Sequence, residues 1–476
     1  MAEPVVMPAA PLPLLPDRAR AEVGERAETV WTGGQEAPAV HTRRLALSGA
    51  RGRVAIIDGC RTPFAKAGTD LRDMDVVDLA GVAAAELVAR SGIDPNEIER
   101  SIFGAVVPAL HAPNLGREVV FRASLPMRIP GAAVSLACAS ANRAIASGVE
   151  AILTGECEVV LAGGAESLSN VPIQFSRPAA RAFMEAAKAR SLARRLSPLR
   201  RLRFRDLAPV PPAIAEYSTG LSMGEACEKM AKENDVSRRA QDEIACLSHQ
   251  RATAAMADGR LGRQIVPVFP APRYDKAVLL DNGVRSDCSL DQLAGLKPAF
   301  DRRYGTLTAG NSSPLTDGAA AVLLTSEEKA RELGLEPLGF VRSYAFAALD
   351  PGTQLLQGPA YAAPLALDRA GLTLADMDLV EMHEAFAAQI LSNLKAFASA
   401  KFARQELGRS APLGEIDFDR FNVTGGSLAI GHPFGATGAR VTTQLLYEMR
   451  HRESKFGLLT VCAAGGVGFA MVVERG

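Results

Sequence analysis

The feature that most limits the fold is an internal repeat, because the same order of helices and strands recurs in the two halves of the chain. The segment Glu86–Ile98 has a counterpart in Ala366–Met377. Two similar α/β halves explain the repeat, although chance similarity between alanine-rich helices stays open on this feature alone. A second match pairs Ala146-Ser-Gly148 and the strand ending in Ala162-Gly-Gly164 with Ala436-Thr-Gly438 and the strand ending in Ala464-Gly-Gly466.

Hydrophobic patterning predicts the elements of such an α/β fold. The first ordered strand is expected near Val54, and the continuous apolar run Glu158–Gly164 is typical of a buried parallel strand. A helix is predicted over Val77–Arg90, ending at Gly92. A second helix is predicted over Cys138–Thr154, where small residues on every side indicate a helix that is buried all round.

Composition divides the chain into parts. Residues 1–50, rich in Pro, Ala, Glu and Arg, are predicted to be a disordered extension. One half is expected over 51–330 and the other over 331–476. A segment at about 171–304 has a different composition and is predicted to be a loop domain inserted into the first half. Within it, a strongly basic part precedes a charged helical stretch, at 177–205 and 224–261.

Charge and cysteine usage argue against several classes of function. Lys plus Arg equals Asp plus Glu, at 53 each, so we expect no nucleic-acid partner. The seven cysteines are scattered without a CxxC pair, which indicates neither a disulfide framework nor a zinc site and fits a reducing, cytoplasmic location. No apolar segment approaches the ~18 residues needed to cross a bilayer, so we expect at most contact with a membrane surface.

Two cysteine motifs lie where predicted strands and helices meet. Cys138, in Ser135-Leu-Ala-Cys-Ala-Ser140, stands at the start of a helix, where unpaired amide groups favour the thiolate. Cys462 ends an apolar strand and precedes Ala-Ala-Gly-Gly, whose amides are suited to bind an oxyanion. Each motif alone also fits a small core residue or a structural strand end.

Two histidine motifs offer groups for proton transfer. His432 lies in the glycine-rich stretch Gly425–Gly438, where a neutral imidazole can accept a thiol proton, although a histidine held by turn carbonyls has equal weight. The stretch lacks the lysine of a P-loop and the GxGxxG order of a dinucleotide fold. His383, in Met-His-Glu-Ala-Phe-Ala387, can hydrogen-bond a water or a carbonyl oxygen, and Glu384 equally fits a helix N-terminal charge.

The motifs together closely resemble the thiolase family, from about Val54 to the C-terminus. They are Cys138, HEAFA at 383–387, GHPFGATG at 431–438 and CAAGGVG at 462–468, in that order. His383 in place of the usual asparagine of NEAF, with Leu315-Thr-Asp-Gly-Ala-Ala-Ala and the basic insert, resembles the β subunits of fatty-acid oxidation complexes. The resemblance implies an α/β fold whose two halves pack into a layered αβαβα core with an inserted loop domain.

The resemblance also implies a role for each motif. Cys138 would accept the acyl group, His432 would activate it, and Cys462 would be the second acid/base. His383 would position a water or carbonyl oxygen in one oxyanion hole, and the amides of Cys138 and Ala464 would form the other. Alanine at 464 replaces the commoner glycine and supplies the same amide. CoA would be a substrate and would contact Ser313, Arg285 and Met223. The resemblance implies no tightly bound cofactor and no metal.

The implied activity is CoA-dependent cleavage of a 3-ketoacyl-CoA to acetyl-CoA and a shortened acyl-CoA, as in fatty-acid β-oxidation. The alternatives are a biosynthetic acetoacetyl-CoA thiolase, a ketoacyl synthase that uses Cys138, His383 and His432, and a non-catalytic acyl-CoA-binding scaffold. Cys462 argues against the synthase, whose chemistry needs no second thiol.

Two kinds of partner are expected. The family implies a homodimer or higher oligomer, and association with a hydratase/dehydrogenase α subunit. The basic segment 177–205, with interleaved Leu and Phe, is either a solvated loop or a docking surface for anionic lipid or a partner subunit.

Overall fold

The computed structural model describes residues 48–49, 52–210 and 215–476. The extension predicted for residues 1–50 lies outside the described residues, apart from Ser48 and Gly49. Among the described residues the strands β1 to β11 are Ser48–Gly49, Gly52–Arg61, Ala65–Lys66, Arg100–Gly104, Gly131–Val134, Val159–Glu166, Thr316–Ser326, Gly339–Ala348, Leu379–Met382, Phe456–Ala463 and Val467–Arg475.

The α-helices of the described segments are numbered α1 to α14 in chain order. None of them is both long and apolar enough to span a bilayer. They are Val76–Ser91, Leu115–Arg122, Ser140–Leu153, Arg177–Lys188, Leu192–Leu199, Met223–Glu233, Arg238–Ala257, Leu290–Ala294, Glu327–Glu332, Gly358–Ala370, Ala387–Ala398, Ala400–Leu407, Ser427–Ile430 and Thr437–His451.

The sheet repeats one pattern in the two halves of the chain. Its order is β5-β4-β6-β7-β2-β8-β11-β10-β9, with β2 and β8 joining the halves. In each half the first strand pairs antiparallel with the last, β2 with β7 and β8 with β11. In the first half, β7 also pairs antiparallel with β6, and β6 pairs parallel with β4. In the second half, β11 also pairs antiparallel with β10, and β10 pairs parallel with β9. The two similar α/β halves predicted from the sequence are therefore confirmed.

The first of the two predicted sequence matches is confirmed at the end of the helix and in the turn that follows it. Helix α1 ends at Gly92 and α10 ends at Gly371, and both glycines adopt the left-handed conformation, with φ of 71° and 69°. A left-handed residue at this position satisfies the last carbonyl groups of a helix, and glycine adopts it without a steric penalty. A short 3-10 turn then leads into β4 or β9 in each half.

The second match pairs the right elements but is wrong in register. Gly148 lies in the middle of α3, whereas Gly438 lies in the first turn of α14. Gly163 and Gly164 lie inside β6, whereas the second Gly-Gly pair forms the turn after β10. The two Gly-Gly pairs are also needed for different physical reasons. A Cβ at Gly164 would lie 2.0 Å from the Gly435 carbonyl oxygen, while Gly465 and Gly466 need positive φ, at 81° and 66°.

Three clusters of buried apolar residues separate five layers. One cluster lies between helices α1 and α2 and the strands of the first half. A second surrounds α3 and α14 and includes strand residues of both halves. A third lies between α10 and α11 and the strands of the second half. The order helix, sheet, helix, sheet, helix confirms the predicted αβαβα core, with α3 in its middle layer. The prediction that this helix is buried all round was wrong, because Arg143, Ser147 and Glu150 lie on one face that is partly exposed.

The segment predicted as an insert contains helices α4 to α8. Its basic part forms α4 and α5, which pack against each other and leave most side chains exposed. Its second part, predicted as a charged helical stretch, forms α6 and α7. These helices bury Met230 and Ile244 in the same cluster as Leu391 of α11, so this part packs directly on the second half of the chain.

Candidate active site

The four side chains predicted to do chemistry lie on loops and strand ends of both halves. Cys138 lies in the loop between β5 and α3, and His432 lies in the turn between α13 and α14. His383 directly follows β9, where its amide donates to the Thr460 carbonyl of β10 at 2.9 Å. Cys462 is the next-to-last residue of β10. Because β9 and β10 are parallel, their carboxyl ends meet at one edge of the sheet, where α/β folds bind ligands.

Cys138, His383 and His432 converge in one cluster. The Cys138 Sγ lies 3.1 Å from the His432 Nε2. The two imidazole rings are in contact, with centroids 4.2 Å apart. One side-chain nitrogen or sulfur atom from each of the three residues lies within 4.8 Å of the others. The cysteine is half-buried and both histidines are buried, so the cluster is shielded from bulk water.

The contacts of the His432 Nδ1 atom show which ring nitrogen carries the hydrogen of the neutral imidazole. Its Nδ1 lies 2.7 Å from the Thr437 hydroxyl, and that hydroxyl donates its own proton to the Pro433 carbonyl at 3.1 Å. Thr437 must therefore accept from Nδ1, which carries the imidazole hydrogen. The Nε2 lone pair faces the Cys138 thiol and can accept its proton. Burial lowers the pKa of His432 to about 3, so the imidazole is neutral at physiological pH.

The resting protonation state of Cys138 is set by two opposing effects. Loss of hydration raises the pKa of Cys138 to about 12, and the backbone amides of Ala464 and Cys138, which point at the sulfur, lower it only in part. The resting residue is therefore a thiol, and His432 must take its proton during attack. Burial thus outweighs the partial charge of the amides, and a thiol that needs activation agrees with the role expected for His432.

Cys462 shares this site with Cys138. Its side chain is buried, and loss of hydration, followed by the neighbouring Cys138 and Cys227, raises its pKa well above the usual value. The Cys462 thiol therefore lies close enough to Cys138 and Cys227 for each of them to disfavour its charge. Cys462, from a distant part of the chain, thus lies near the cluster of Cys138, His383 and His432.

Glu384 holds the glycine-rich stretch against the site. Its buried carboxylate accepts from the Ser248 hydroxyl at 2.7 Å, the Asn422 amide at 2.8 Å and the backbone amide of Leu428 at 3.1 Å. The sequence left open that Glu384 places a negative charge at the N-terminus of the helix that follows it, α11. This alternative is wrong, because the backbone amide that donates to Glu384 belongs to α13.

Sequence comparison decides the family. The profile described as "Thiolase, N-terminal domain" matches residues 54–328, and "Thiolase, C-terminal domain" matches residues 335–475. The chain belongs to the thiolase family. Two curated relatives, each named 3-ketoacyl-CoA thiolase, come from Serratia proteamaculans (strain 568) and Aeromonas salmonicida (strain A449). They are 53% and 52% identical to this chain over 422 residues, which cover 89% of this chain and 97% of each relative.

Solved structures of similar proteins agree with the thiolase fold. The Bacillus anthracis acetyl-CoA acetyltransferase superposes with a TM-score of 0.76 at 32% identity, covering 89% of this chain and 98% of that protein. Human mitochondrial 3-ketoacyl-CoA thiolase in complex with CoA also gives a TM-score of 0.76, at 30% identity, covering 91% of this chain and 100% of that protein.

The residues predicted to contact CoA lie at different distances from the thiolase site. The Ser313 amide donates to the Ala385 carbonyl at 3.0 Å, next to His383, so Ser313 borders the cluster. Arg285 is exposed, and its amide donates to the His249 Nδ1 at 3.2 Å. Met223 is half-buried at the start of α6 and packs on the third apolar cluster. Of these three residues, Ser313 is thus bonded to the segment that carries His383.

Four further residues near the site were not predicted from the sequence. Ser427 and Thr437 lie inside the glycine-rich stretch, where a hydroxyl on each side of His432 was the available signal. Arg440 lies one turn later, and nothing in its local pattern distinguishes it from a surface arginine, although it is fully buried. Lys66 lies far away in sequence, and its pKa is lowered by burial and then by Arg285.

Proposed function

We propose that this chain is a 3-ketoacyl-CoA thiolase, which cleaves a 3-ketoacyl-CoA with CoA to give acetyl-CoA and an acyl-CoA shortened by two carbons. The observation that carries the proposal is the cluster in which the Cys138 thiol faces the His432 Nε2 at 3.1 Å, with the Cys462 thiol close enough for Cys138 to disfavour its charge. A non-catalytic scaffold needs no such arrangement, and a decarboxylating synthase has no use for the second thiol.

The first half-reaction forms an acyl-enzyme. His432 takes the Cys138 proton at Nε2 as the sulfur attacks the 3-keto carbon. The amides of Cys138 and Ala464 face the sulfur and stabilise the oxyanion that develops beside it. The C2–C3 bond then breaks and leaves the acyl group on Cys138. The departing acetyl-CoA enolate, its oxygen held by His383, takes a proton at C2 from Cys462.

The second half-reaction transfers the acyl group to CoA. The Cys462 thiolate accepts the proton of the incoming CoA thiol, and the CoA sulfur attacks the acyl-enzyme. The Cys138 sulfur leaves and recovers its proton from His432, so that both thiols return to their starting state. Two cysteines are needed because one carries the acyl group while the other moves protons.

Two neighbouring basic side chains, Arg285 and Lys66, support an anionic substrate such as CoA. Burial and then the nearby Arg285 lower the pKa of Lys66. Burial, then Arg285 and Lys66, lower the pKa of His249 to about 4. Neighbouring like charges cost free energy unless an anion neutralises them. The phosphates of CoA would do so.

Turnover of a series of 3-ketoacyl-CoA lengths tests the proposed function. We expect CoA-dependent release of acetyl-CoA from several lengths, and loss of turnover in Cys138→Ala and Cys462→Ala. Cleavage of acetoacetyl-CoA alone would favour the biosynthetic thiolase, and malonyl decarboxylation would favour the synthase. Failure of the wild-type protein to turn over any 3-ketoacyl-CoA would overturn the proposal.

We also propose that the basic hairpin, residues 177–205, docks on anionic lipid. It carries ten basic residues and one acidic residue, and large apolar side chains on and beside it are exposed, among them Leu192 at 73% and Phe204 at 96%. Apolar side chains that insert between headgroups, together with arginines that pair with phosphates, are typical of a peripheral membrane surface.

Vesicle co-sedimentation tests this second proposal. We expect binding to phosphatidylglycerol-containing vesicles and not to phosphatidylcholine alone, and a loss of binding in a combined Arg194→Ser, Arg195→Ser and Leu192→Ser variant. A control with Arg302→Ser and Arg303→Ser, two exposed arginines outside the hairpin, should still bind. Equal binding by all three proteins would reject the lipid proposal and leave a partner subunit, such as a hydratase/dehydrogenase, as the ligand to seek.

We further propose a reducing, cytoplasmic location. All seven cysteines are free thiols, and the proposed reaction requires Cys138 and Cys462 to stay reduced.

A further inference from the structure

A buried hydroxyl links His383 to a buried arginine. The Ser427 Oγ lies 2.9 Å from the His383 Nδ1 and accepts from the Arg440 Nη2 at 2.6 Å. All three side chains have no exposed surface. Arg440 is itself held by Glu381 and Gln444, each at 3.2 Å from its Nη1. Turning the guanidinium away from Ser427 would therefore also break its contacts with Glu381 and Gln444.

The hydrogen positions in this chain of contacts follow from donor and acceptor capacity. A guanidinium only donates, so Arg440 occupies a lone pair of Ser427. Between its two contacts, the Ser427 hydroxyl proton can go only to the His383 Nδ1. Since Nδ1 accepts, the hydrogen of the neutral imidazole must lie on Nε2.

The Nε2 of His383 is the atom that matters for chemistry. It is buried and has no hydrogen-bond partner among the described residues. It belongs to a ring in contact with the His432 ring, beside Cys138. A buried N–H without a partner costs free energy, and it is suited to a substrate oxygen that gains negative charge.

The two histidines of the site are thus set in opposite tautomers by two hydroxyl groups. Thr437 gives its proton to the Pro433 carbonyl, so it accepts from His432 and leaves a lone pair on Nε2. Ser427 accepts a hydrogen bond from Arg440, so it donates its own hydrogen to the His383 Nδ1 and leaves the imidazole hydrogen on Nε2. One imidazole becomes a base and the other becomes a hydrogen-bond donor, although both have the same chemical structure.

We propose that Ser427, held by Arg440, is a positioning residue that fixes His383 as the Nε2–H tautomer, so that His383 donates to the enolate oxygen of the departing acyl-CoA. The proposal rests on the proposed thiolase function, because it assigns the donor for that reaction. A donor to a charge that develops only in the transition state raises kcat and leaves substrate binding nearly unchanged.

Ser427→Ala tests the proposal, with Ser427→Thr as the conservative variant. Loss of a whole oxyanion donor lowers kcat by about 100- to 1,000-fold. Ser427→Ala leaves the ring in place and frees its tautomer, so we expect kcat to fall about 10- to 100-fold with an unchanged KM. Ser427→Thr restores the hydroxyl and should recover most of the rate. Ser343→Ala removes another buried serine hydroxyl, which donates to the Ala366 carbonyl at 2.6 Å, and should keep the wild-type kcat.

Nitrogen NMR of the histidine-labelled full chain gives a readout that a purely structural role would not change. The 15N shifts of His383, assigned by their absence in His383→Asn, should show a protonated Nε2 in the wild-type protein and a mixture of tautomers in Ser427→Ala. Wild-type turnover together with an Nδ1–H tautomer, or an unchanged kcat in Ser427→Ala, would overturn the inference. Absence of turnover in the wild-type protein would instead refute the proposed function.

Discussion

At Cys138 two physical effects oppose each other, and the structure decides between them. The amides of Cys138 and Ala464 point at the sulfur and favour the thiolate, while loss of hydration disfavours it and brings the pKa to about 12. Because the penalty is larger than the amide effect, the nucleophile exists only while His432 holds its proton. Such a site limits side reactions of a free thiolate in the absence of substrate.

The lowered pKa of His249 predicts how the stability of the folded protein changes in acid. Burial, then Arg285 and Lys66, lowers its pKa to about 4 in the folded protein, against about 6.5 when unfolded. Below pH 6.5 the unfolded chain binds a proton that the folded chain does not bind until about pH 4. His249 should therefore reduce the free energy of unfolding as the pH falls through this window, by up to ~1.4 kcal/mol per pH unit.

Urea denaturation between pH 7 and pH 4 measures this effect in wild-type protein and in His249→Asn. We expect the variant to lose less free energy of unfolding than the wild type, because all other groups contribute equally to both proteins. His451→Gln is a matched control, since that histidine is exposed at the end of α14. Parallel curves for wild type and His249→Asn would contradict the prediction.

The sequence predicts the chemical residues better than the residues that orient them. Cys138, His383, His432 and Cys462 stand in short motifs at strand ends, where a reactive side chain is a local signal. Arg440 is different, because its burial depends on Glu381, which precedes it by more than fifty residues. The roles assigned to these residues stay predictions until the variants are measured.

At the scale of the elements, Gly164 of β6 is the contact on which the position of the catalytic turn depends. A Cβ there would lie 2.0 Å from the Gly435 carbonyl oxygen and 2.9 Å from the Gly104 carbonyl oxygen. These are backbone atoms, so Gly164→Ala must push the turn that carries His432 away from the strand. We expect a loss of about 1–3 kcal/mol of stability and a lower kcat.

Thermal denaturation and turnover together test the Gly164 contact. Gly262→Ala is the matched control, because a Cβ there meets no atom within 4 Å and the residue is exposed. It should leave both stability and rate unchanged. A Gly164→Ala protein with wild-type kcat would show that the turn tolerates displacement, which the short distances argue against.

The order of elements could be predicted from the sequence, whereas the register of the repeat could not. Helical and apolar periodicity located α1, α3 and β6 because those signals are local. The two Gly-Gly pairs look alike in sequence, yet one permits close packing against the Gly435 carbonyl and the other provides positive φ after β10. Only the tertiary contact tells these two uses of glycine apart.

At the scale of the whole molecule, the sheet has two ends with different surroundings. Beyond β9, Phe421 forms a parallel bridge with Val380 and covers that end. The other end is β5, where Ala132 and Ala133 are exposed. Exposed strand edges attract other strands, and proteins commonly cover them. We propose that β5 pairs with β5 of a second copy, in the homodimer expected for this family.

The hydrogen-bond pattern of β5 permits a selective test of that dimer. The amides of Ser101 and Ala105 donate to the carbonyl groups of Pro130 and Val134. Backbone groups of alternate residues in a strand point to opposite sides, so those of Ala133 face the open edge. Ala133→Pro removes one outward amide hydrogen and keeps the pairing with β4.

Analytical ultracentrifugation should give about twice the 50.2 kDa chain mass for the wild type and a lighter species for Ala133→Pro. Ala133→Ser, which keeps the amide, should sediment like the wild type. Because β5 leads directly to Cys138, we expect Ala133→Pro to lose turnover together with dimerisation, and a monomeric wild-type protein with full activity would contradict the prediction.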